Sequence, residues 1–194
     1  MREATARGAA SLSVLDIYKV GIGPSSSHTL GPMRAAREFA LSLERAGTLA
    51  SVASVRVTLY GSLAATARGH ATDRAVLLGL LGETPDGVDP DRVGALVEEV
   101  RSTGRLALLG RRELPFAEGE HLRLVLEPLP YHPNGLSFEA LGGSGETLAS
   151  RTFFSIGGGF VVEEGAAPGP ASGAEAAGPH PVRIAIPVHG DPPG

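Results

Sequence analysis

The 194-residue sequence contains no cysteine and no tryptophan. Without thiols it forms no disulfide, offers no sulfur nucleophile, binds no zinc through sulfur and holds no iron–sulfur cluster on thiolates of its own. A long hydrophobic run is also missing. No segment approaches the roughly 18–20 apolar residues that cross a bilayer, and Met1–Ala10 includes Glu3 and lacks the apolar centre of a secretory signal. The expected location is the cytoplasm, with no membrane partner. Nor is there a basic block: 17 Lys+Arg stand against 21 Asp+Glu, for a formal net charge of -4. Nothing in the chain would neutralise a row of phosphates, so nucleic acid is not an expected partner.

What remains, 42% hydrophobic and 20% charged residues, is the make-up of a globular chain with one core, too short for two ordinary domains. From Gly165 to Gly194 the sequence is dominated by alanine, glycine and proline and loses any sustained period. The expected organisation is a flexible N-terminus over 1–11, a globular domain over 12–164, and a tail or linker over 165–194. Within the tail, Val182–Val188 alternates apolar residues and reads at most as an edge strand, because Pro187 removes a ladder donor.

Helical spacing at Met33, Ala36, Phe39, Ala40 and Leu43, with Pro32 suited to a first turn, predicts a helix after Thr29. Val55, Val57 and Leu59 alternate with polar residues as in a half-buried strand, running into a turn or loop at Gly61-Ser62. A second helix is expected over the apolar run Ala75–Leu81, capped by the side chain of Thr72 or Asp73, and a third from Pro90 through Val100. Strand patterns follow at Leu106–Leu109, Leu122–Leu126, Leu136–Leu141, Thr147–Phe154 and Phe160–Val162, with a turn at Gly142–Gly145. Helices early and strands late predict an α+β domain, a mixed sheet with helices packed mainly on one face.

The segment Gly21-Ile22-Gly23-Pro24-Ser25-Ser26-Ser27-His28-Thr29 is the densest concentration of small polar groups and leads straight into a helix. Its hydroxyls and the free N–H groups of the helix start suit a carboxylate or phosphate; the plainer alternative is ordinary capping. It is not a Walker loop, since no Gly-Lys-Ser/Thr follows. His70 falls between strand and helix, where an imidazole could serve as general base or simply cap the loop. His132, before Pro133-Asn134-Gly135, reads as a turn residue, and His121 as structural. Three histidines with Asp73 lack any dense metal-ligand motif, and no Gly-x-Ser-x-Gly elbow supports a serine hydrolase.

Four blocks, SVLDIYKVGIGPSSSHTLGPMRAA (Ser13–Ala36), LYGSLAATARGHATD (Leu59–Asp73), HPNG (His132–Gly135) and FFSIGGGFV (Phe153–Val161), together resemble one family. It is that of the iron–sulfur-dependent L-serine dehydratases, or L-serine ammonia-lyases, and specifically their β domain or β subunit. The resemblance implies conversion of L-serine to pyruvate and ammonia at an active site shared with an α domain or α subunit. That α domain carries the cysteines and a four-iron four-sulfur cluster, one iron of which assists departure of the substrate hydroxyl. On matched positions it implies His70 as the base that removes the α-proton and His28 as a second active-site histidine. Ser25, Ser26, Ser27 and Thr29 would hold the substrate's charged groups. Asn134 joins the substrate-binding set without an assigned partner, and Tyr60-Gly61-Ser62, Asp73 and Ser155-Ile156-Gly157 fall in the same blocks with roles open. A fold similar to the allosteric substrate-binding domain of phosphoglycerate dehydrogenase is also implied, and with it a rival expectation, a regulatory module that binds serine or another small carboxylate without chemistry. A face made for another domain could also drive self-association into a homo-oligomer. The pattern departs from the family after Pro181, where VRIAIPVHGDPPG does not resemble the start of a following helix.

Overall fold

The computed structural model of the chain describes residue 23 and residues 25–165. The expected N-terminal segment 1–11, most of the expected tail and the strand candidate Val182–Val188 lie outside the described residues.

Helix α1 spans Leu30–Arg45, with Met33, Ala36, Phe39, Ala40 and Leu43 buried along one side. A single 3₁₀ turn, Leu49–Ser51, leads into strand β1, Ser54–Tyr60, whose burial alternates strictly. Two short segments follow: helix α2 (Gly61–Ala65) and, after a turn, helix α3 (Thr72–Leu81). Helix α4 (Pro90–Thr103) is capped by Asp89, whose side chain accepts from Asp91 N, with Pro90 in the first turn. Strands β2 (Arg105–Leu108) and β3 (Arg112–Pro115), helix α5 (Glu118–His121), and strands β4 (Leu122–Val125), β5 (Gly135–Leu141), β6 (Thr147–Gly157) and β7 (Phe160–Glu163) complete the described chain.

Five strands form one mixed sheet in the order β4-β1-β5-β6-β7, in which only the β1–β4 pair is parallel. The α+β expectation is met. One face of β1 and β5 carries Val55, Val57, Leu59, Leu136, Phe138 and Ala140, all buried. Helix α1 lies on this face, stacking Phe39 on Phe138 with ring centroids 5.1 Å apart. Each of the larger of these side chains, the valines, leucines and Phe138, contributes about 1.5–3 kcal/mol by leaving water. The opposite face is polar near its middle, where Arg56 pairs with Glu139 and the Tyr60 hydroxyl meets Ser137.

Three expectations need correction. The chain after β1 is not a loop but the helical turn α2. Thr72 and Asp73 do not cap α3; they lie in its first turn, the N-cap is Ala71, and no side chain closes that end. The strand at 105–108 does not join the main sheet but pairs with β3 in a separate hairpin. That hairpin is fastened beneath α3, where Leu109 N donates to Leu80 O.

The strand directions fix where chemistry can sit. The C-terminal ends of β1, β4 and β6 and the N-terminal ends of β5 and β7 share one rim of the sheet. Helices α1 and α3 run in the same direction: residue 33 meets residue 79, and Arg37 Nε donates to Gly82 O. Both helix N-termini therefore open at that rim. The approach is close enough that a Cβ on Gly79 would overlap the Met33 carbonyl.

Candidate active site

The serine loop before α1 is held by its own backbone. His28 N donates to Ser25 O, Gly31 N donates to Ser26 O, and the Thr29 hydroxyl donates to Ser25 O at 2.7 Å. Thr29 is 1% exposed, so its hydroxyl shapes the loop from inside. Ser25 and Ser27 face the other way. Their hydroxyls lie 3.1 Å apart, and Ser27 Oγ lies 3.0 Å and Ser25 Oγ 3.3 Å from His28 Nδ1. The other ring nitrogen, Nε2, lies 3.0 Å from Ser62 Oγ in α2. His28 thus has a hydroxyl on each side.

His70 arrives from the start of α3. The preceding turn is tied to α2, with Thr66 Oγ1 donating to Ser62 O and His70 N donating to Thr66 O. Ala71 then adopts a left-handed conformation, φ 59°, which is costly for a residue with a Cβ and turns the chain sharply between His70 and the helix. The result is an edge-on pair of imidazoles, the His28 and His70 ring centroids 5.0 Å apart. Burial, and then the charge of His70, hold the His28 pKa below the usual histidine value. Both effects act against protonation of the His28 ring.

The far wall is built by β5 and β6. Ser155 N donates to Asn134 O at 3.0 Å and Asn134 Nδ2 donates to Ser155 O at 3.2 Å, which clamps the two strand ends together. The Asn134 turn is closed by His132, whose Nδ1 accepts from Asn134 N, as a turn histidine should. Ser155 is 0% exposed and packs against the first turn of α1 at Gly31, where any Cβ would overlap the Ser155 hydroxyl. Pro133 O accepts from Ser62 N, so this wall adjoins the histidine pair.

Four buried side-chain polar atoms among the described residues have no hydrogen-bond partner: His70 Nδ1, Thr72 Oγ1, Asp73 Oδ1 and Ser155 Oγ. All four lie at the N-terminal ends of α1 and α3. Buried polar groups are normally satisfied, and a cluster of exceptions marks a place shaped for something other than stability. Asp73 keeps one oxygen engaged, with Arg101 at 2.8 Å, and Arg101 also holds Glu118.

The structure thus brings Ser25, Ser27, His28 and His70 together, adds Ser26 through its backbone and Thr29 as an internal brace, and sets Asn134 one residue from the Ser62 contact. Sequence reasoning left two members without a role, Ser62 and Ser155. Both fall in the blocks that carry the family resemblance, but the Ser62 hydroxyl meets His28 and the Ser155 side chain packs on Gly31 through tertiary contacts that no local pattern encodes.

Comparison with known proteins places the chain in a family. The sequence model of the serine dehydratase beta chain matches residues 13–166. The chain belongs to the serine dehydratase beta chain family. Relatives of this family member include an L-serine dehydratase of Streptomyces coelicolor, 51% identical over 157 residues, which takes in 80% of this chain and 34% of the relative. L-serine dehydratase 1 of Escherichia coli is 45% identical over 154 residues (79% and 34%). An L-serine dehydratase of Mycobacterium tuberculosis is 43% identical over 180 residues (91% and 37%). The chain therefore spans about a third of the length of the curated relatives it matches. Among the described residues, no helix is long and apolar enough to cross a membrane.

Proposed function

We propose that this serine dehydratase beta chain supplies the substrate-gripping and proton-handling side of an L-serine dehydratase active site, completed by an α domain corresponding to the remaining two-thirds of its relatives' length. The observation that carries the reading is the convergence of His28 and His70, 5.0 Å apart, beside a loop of hydroxyls at two aligned helix N-termini.

In this reading the substrate carboxylate sits at the serine loop, where Ser25, backed by Ser27, donates to it and the ends of α1 and α3 add a favourable field of about 0.3–1 kcal/mol each. Thr29 and Asn134 act by holding the loop and the far wall in place. Because His28 has both ring nitrogens engaged with hydroxyls, His70 is the base that takes the α-proton of L-serine. Loss of that proton and of the β-hydroxyl as water leaves an enamine, which tautomerises and takes up water to give pyruvate and ammonia. A four-iron four-sulfur cluster does not fit among these residues, since the chain has no thiolate and both His28 nitrogens are committed to hydroxyls. The reading assigns the cluster to the α domain.

The test is reconstitution. The purified chain alone should form no pyruvate from L-serine. Added to an α domain from a relative, it should restore turnover, and His70→Ala should reduce that turnover by about 10²–10⁴-fold, the usual worth of a general base, while co-purification with the α domain is unchanged. Pyruvate formation by the chain alone, or full turnover with His70→Ala, would refute the proposal. Serine binding combined with full turnover by His70→Ala would instead indicate a regulatory module.

A further inference from the structure

Four side chains form one hydrogen-bonded row across the site. Ser62 Oγ lies 3.0 Å from His28 Nε2, His28 Nδ1 lies 3.0 Å from Ser27 Oγ, and Ser27 Oγ lies 3.1 Å from Ser25 Oγ. A neutral imidazole has one N–H and one bare nitrogen, and each hydroxyl has a single hydrogen to give. The row can therefore be filled in two directions. In the first, Ser62 donates to Nε2, the Nδ1–H donates to Ser27, Ser27 donates to Ser25, and the Ser25 hydrogen is left to point outward. In the second every bond is reversed, the ring carries its proton on Nε2, and the spare hydrogen is on Ser62. The longer 3.3 Å approach of Ser25 to Nδ1 is compatible with both.

We propose that a carboxylate bound at the serine loop selects the first direction, and that Ser62 is the positioning residue that fixes His28 as its Nδ1–H tautomer. The inference rests on the reading that this loop takes the substrate carboxylate. A carboxylate only accepts hydrogen bonds, so Ser25 must turn its hydrogen toward it, and a charge-assisted bond of this kind is roughly twice as strong as a neutral one. Once Ser25 donates outward it becomes an acceptor for Ser27, Ser27 for Nδ1–H, and Nε2 for Ser62. No net charge moves: one proton leaves Nε2, one arrives on Nδ1, and the hydroxyls rotate.

The Ser62 end is built to hold its part. Its backbone is fixed on both sides, N donating to Pro133 O at 3.0 Å and O accepting from Thr66 Oγ1 at 2.8 Å. The carbonyl of Thr66 in turn accepts from His70 N, so the residue that orients one histidine is tied to the backbone of the other. Substrate binding would thereby assign the two imidazoles their separate tasks, closing Nε2 of His28 to the α-proton and leaving that proton to His70.

The test is ¹⁵N NMR of the imidazole rings in the full 194-residue chain, at a pH where both rings are neutral. Saturating L-serine, or acetate as a carboxylate alone, should give the His28 ring the shift pattern of the Nδ1–H form, while ethanolamine, which lacks the carboxylate, should not. In Ser62→Ala the ligand-bound ring should revert to the Nε2–H pattern that an unconstrained histidine favours, and Ser62→Thr, which keeps the hydroxyl, should retain the parent pattern. If L-serine shifts the amides of residues 25–27 but the His28 ring keeps its pattern, or Ser62→Ala behaves as the parent, the inference fails and the carboxylate reading stands. If neither L-serine nor acetate perturbs any resonance of the loop, both fall. Should Ser62→Ala not fold, the parent chain with and without the three probes, compared with Ser62→Thr, decides the matter.

Discussion

One imidazole of the candidate site has surroundings that oppose its charge. His28 is partly desolvated and faces His70 at 5.0 Å, and both effects lower its pKa. A histidine whose folded pKa lies below its unfolded value of about 6.5 binds a proton more weakly when folded. The stability gained by keeping it neutral is fully present above that value and is lost as pH falls through the folded pKa. The denaturant midpoint of the chain should thus drop as pH falls below about 6.5, and His28→Gln should flatten the drop. His70→Gln should flatten it less, because desolvation outweighs the neighbouring charge. An unchanged pH profile in His28→Gln would contradict this assignment of neutrality. The pairing of His28 with Ser62 was not readable from sequence, since the two stand 34 residues apart and meet only once α1 and β1 share a rim.

At the scale of elements, the site depends on how closely α1 and α3 approach. Gly79 lies against Met33 and Ala36, and the two parallel helices carry His28 and His70 at their adjoining ends. Gly79→Ala should force the pair apart at a cost of about 1–3 kcal/mol, read as a lower thermal midpoint, and reconstituted turnover should fall with it. Normal turnover in a destabilised Gly79→Ala chain would show that the histidine spacing is set elsewhere. Elements with a strong period were legible in the sequence: α1 by its apolar spacing, β1 by alternation, α4 by Asp89-Pro90. Those that failed are short or tertiary in origin. Helix α2 is a single turn held by Pro133 O, and β3 has only Leu114 buried, so neither writes a period into the chain. The capping role expected of Thr72 or Asp73 was displaced by the left-handed Ala71, which lets the helix begin one or two residues earlier than its polar side chains suggest.

For the molecule as a whole, one end differs in character from the other. Around the rim that holds the histidines stand Leu126, Tyr131, Ile156 and Phe160, each among the exposed large hydrophobic residues. Apolar groups gathered about a polar site suit a partner that closes over it, and two-thirds of the relatives' length is available to supply one. Ile156→Glu with Phe160→Glu should weaken binding to the α domain by an order of magnitude or more, through loss of apolar burial and the cost of buried charge, with the chain's own thermal midpoint unchanged. Equal affinity of the double variant would place the interface elsewhere. The opposite end is free of these demands. There the β2–β3 hairpin turns at Gly110, exposed and clear of neighbours, beneath the C-terminus of α3 and a full helix length from the imidazoles. A fluorophore, affinity peptide or surface tether grafted into that bend would leave the reactive rim facing outward, so the chain can be immobilised or tracked during assembly through a handle remote from the surface being assembled.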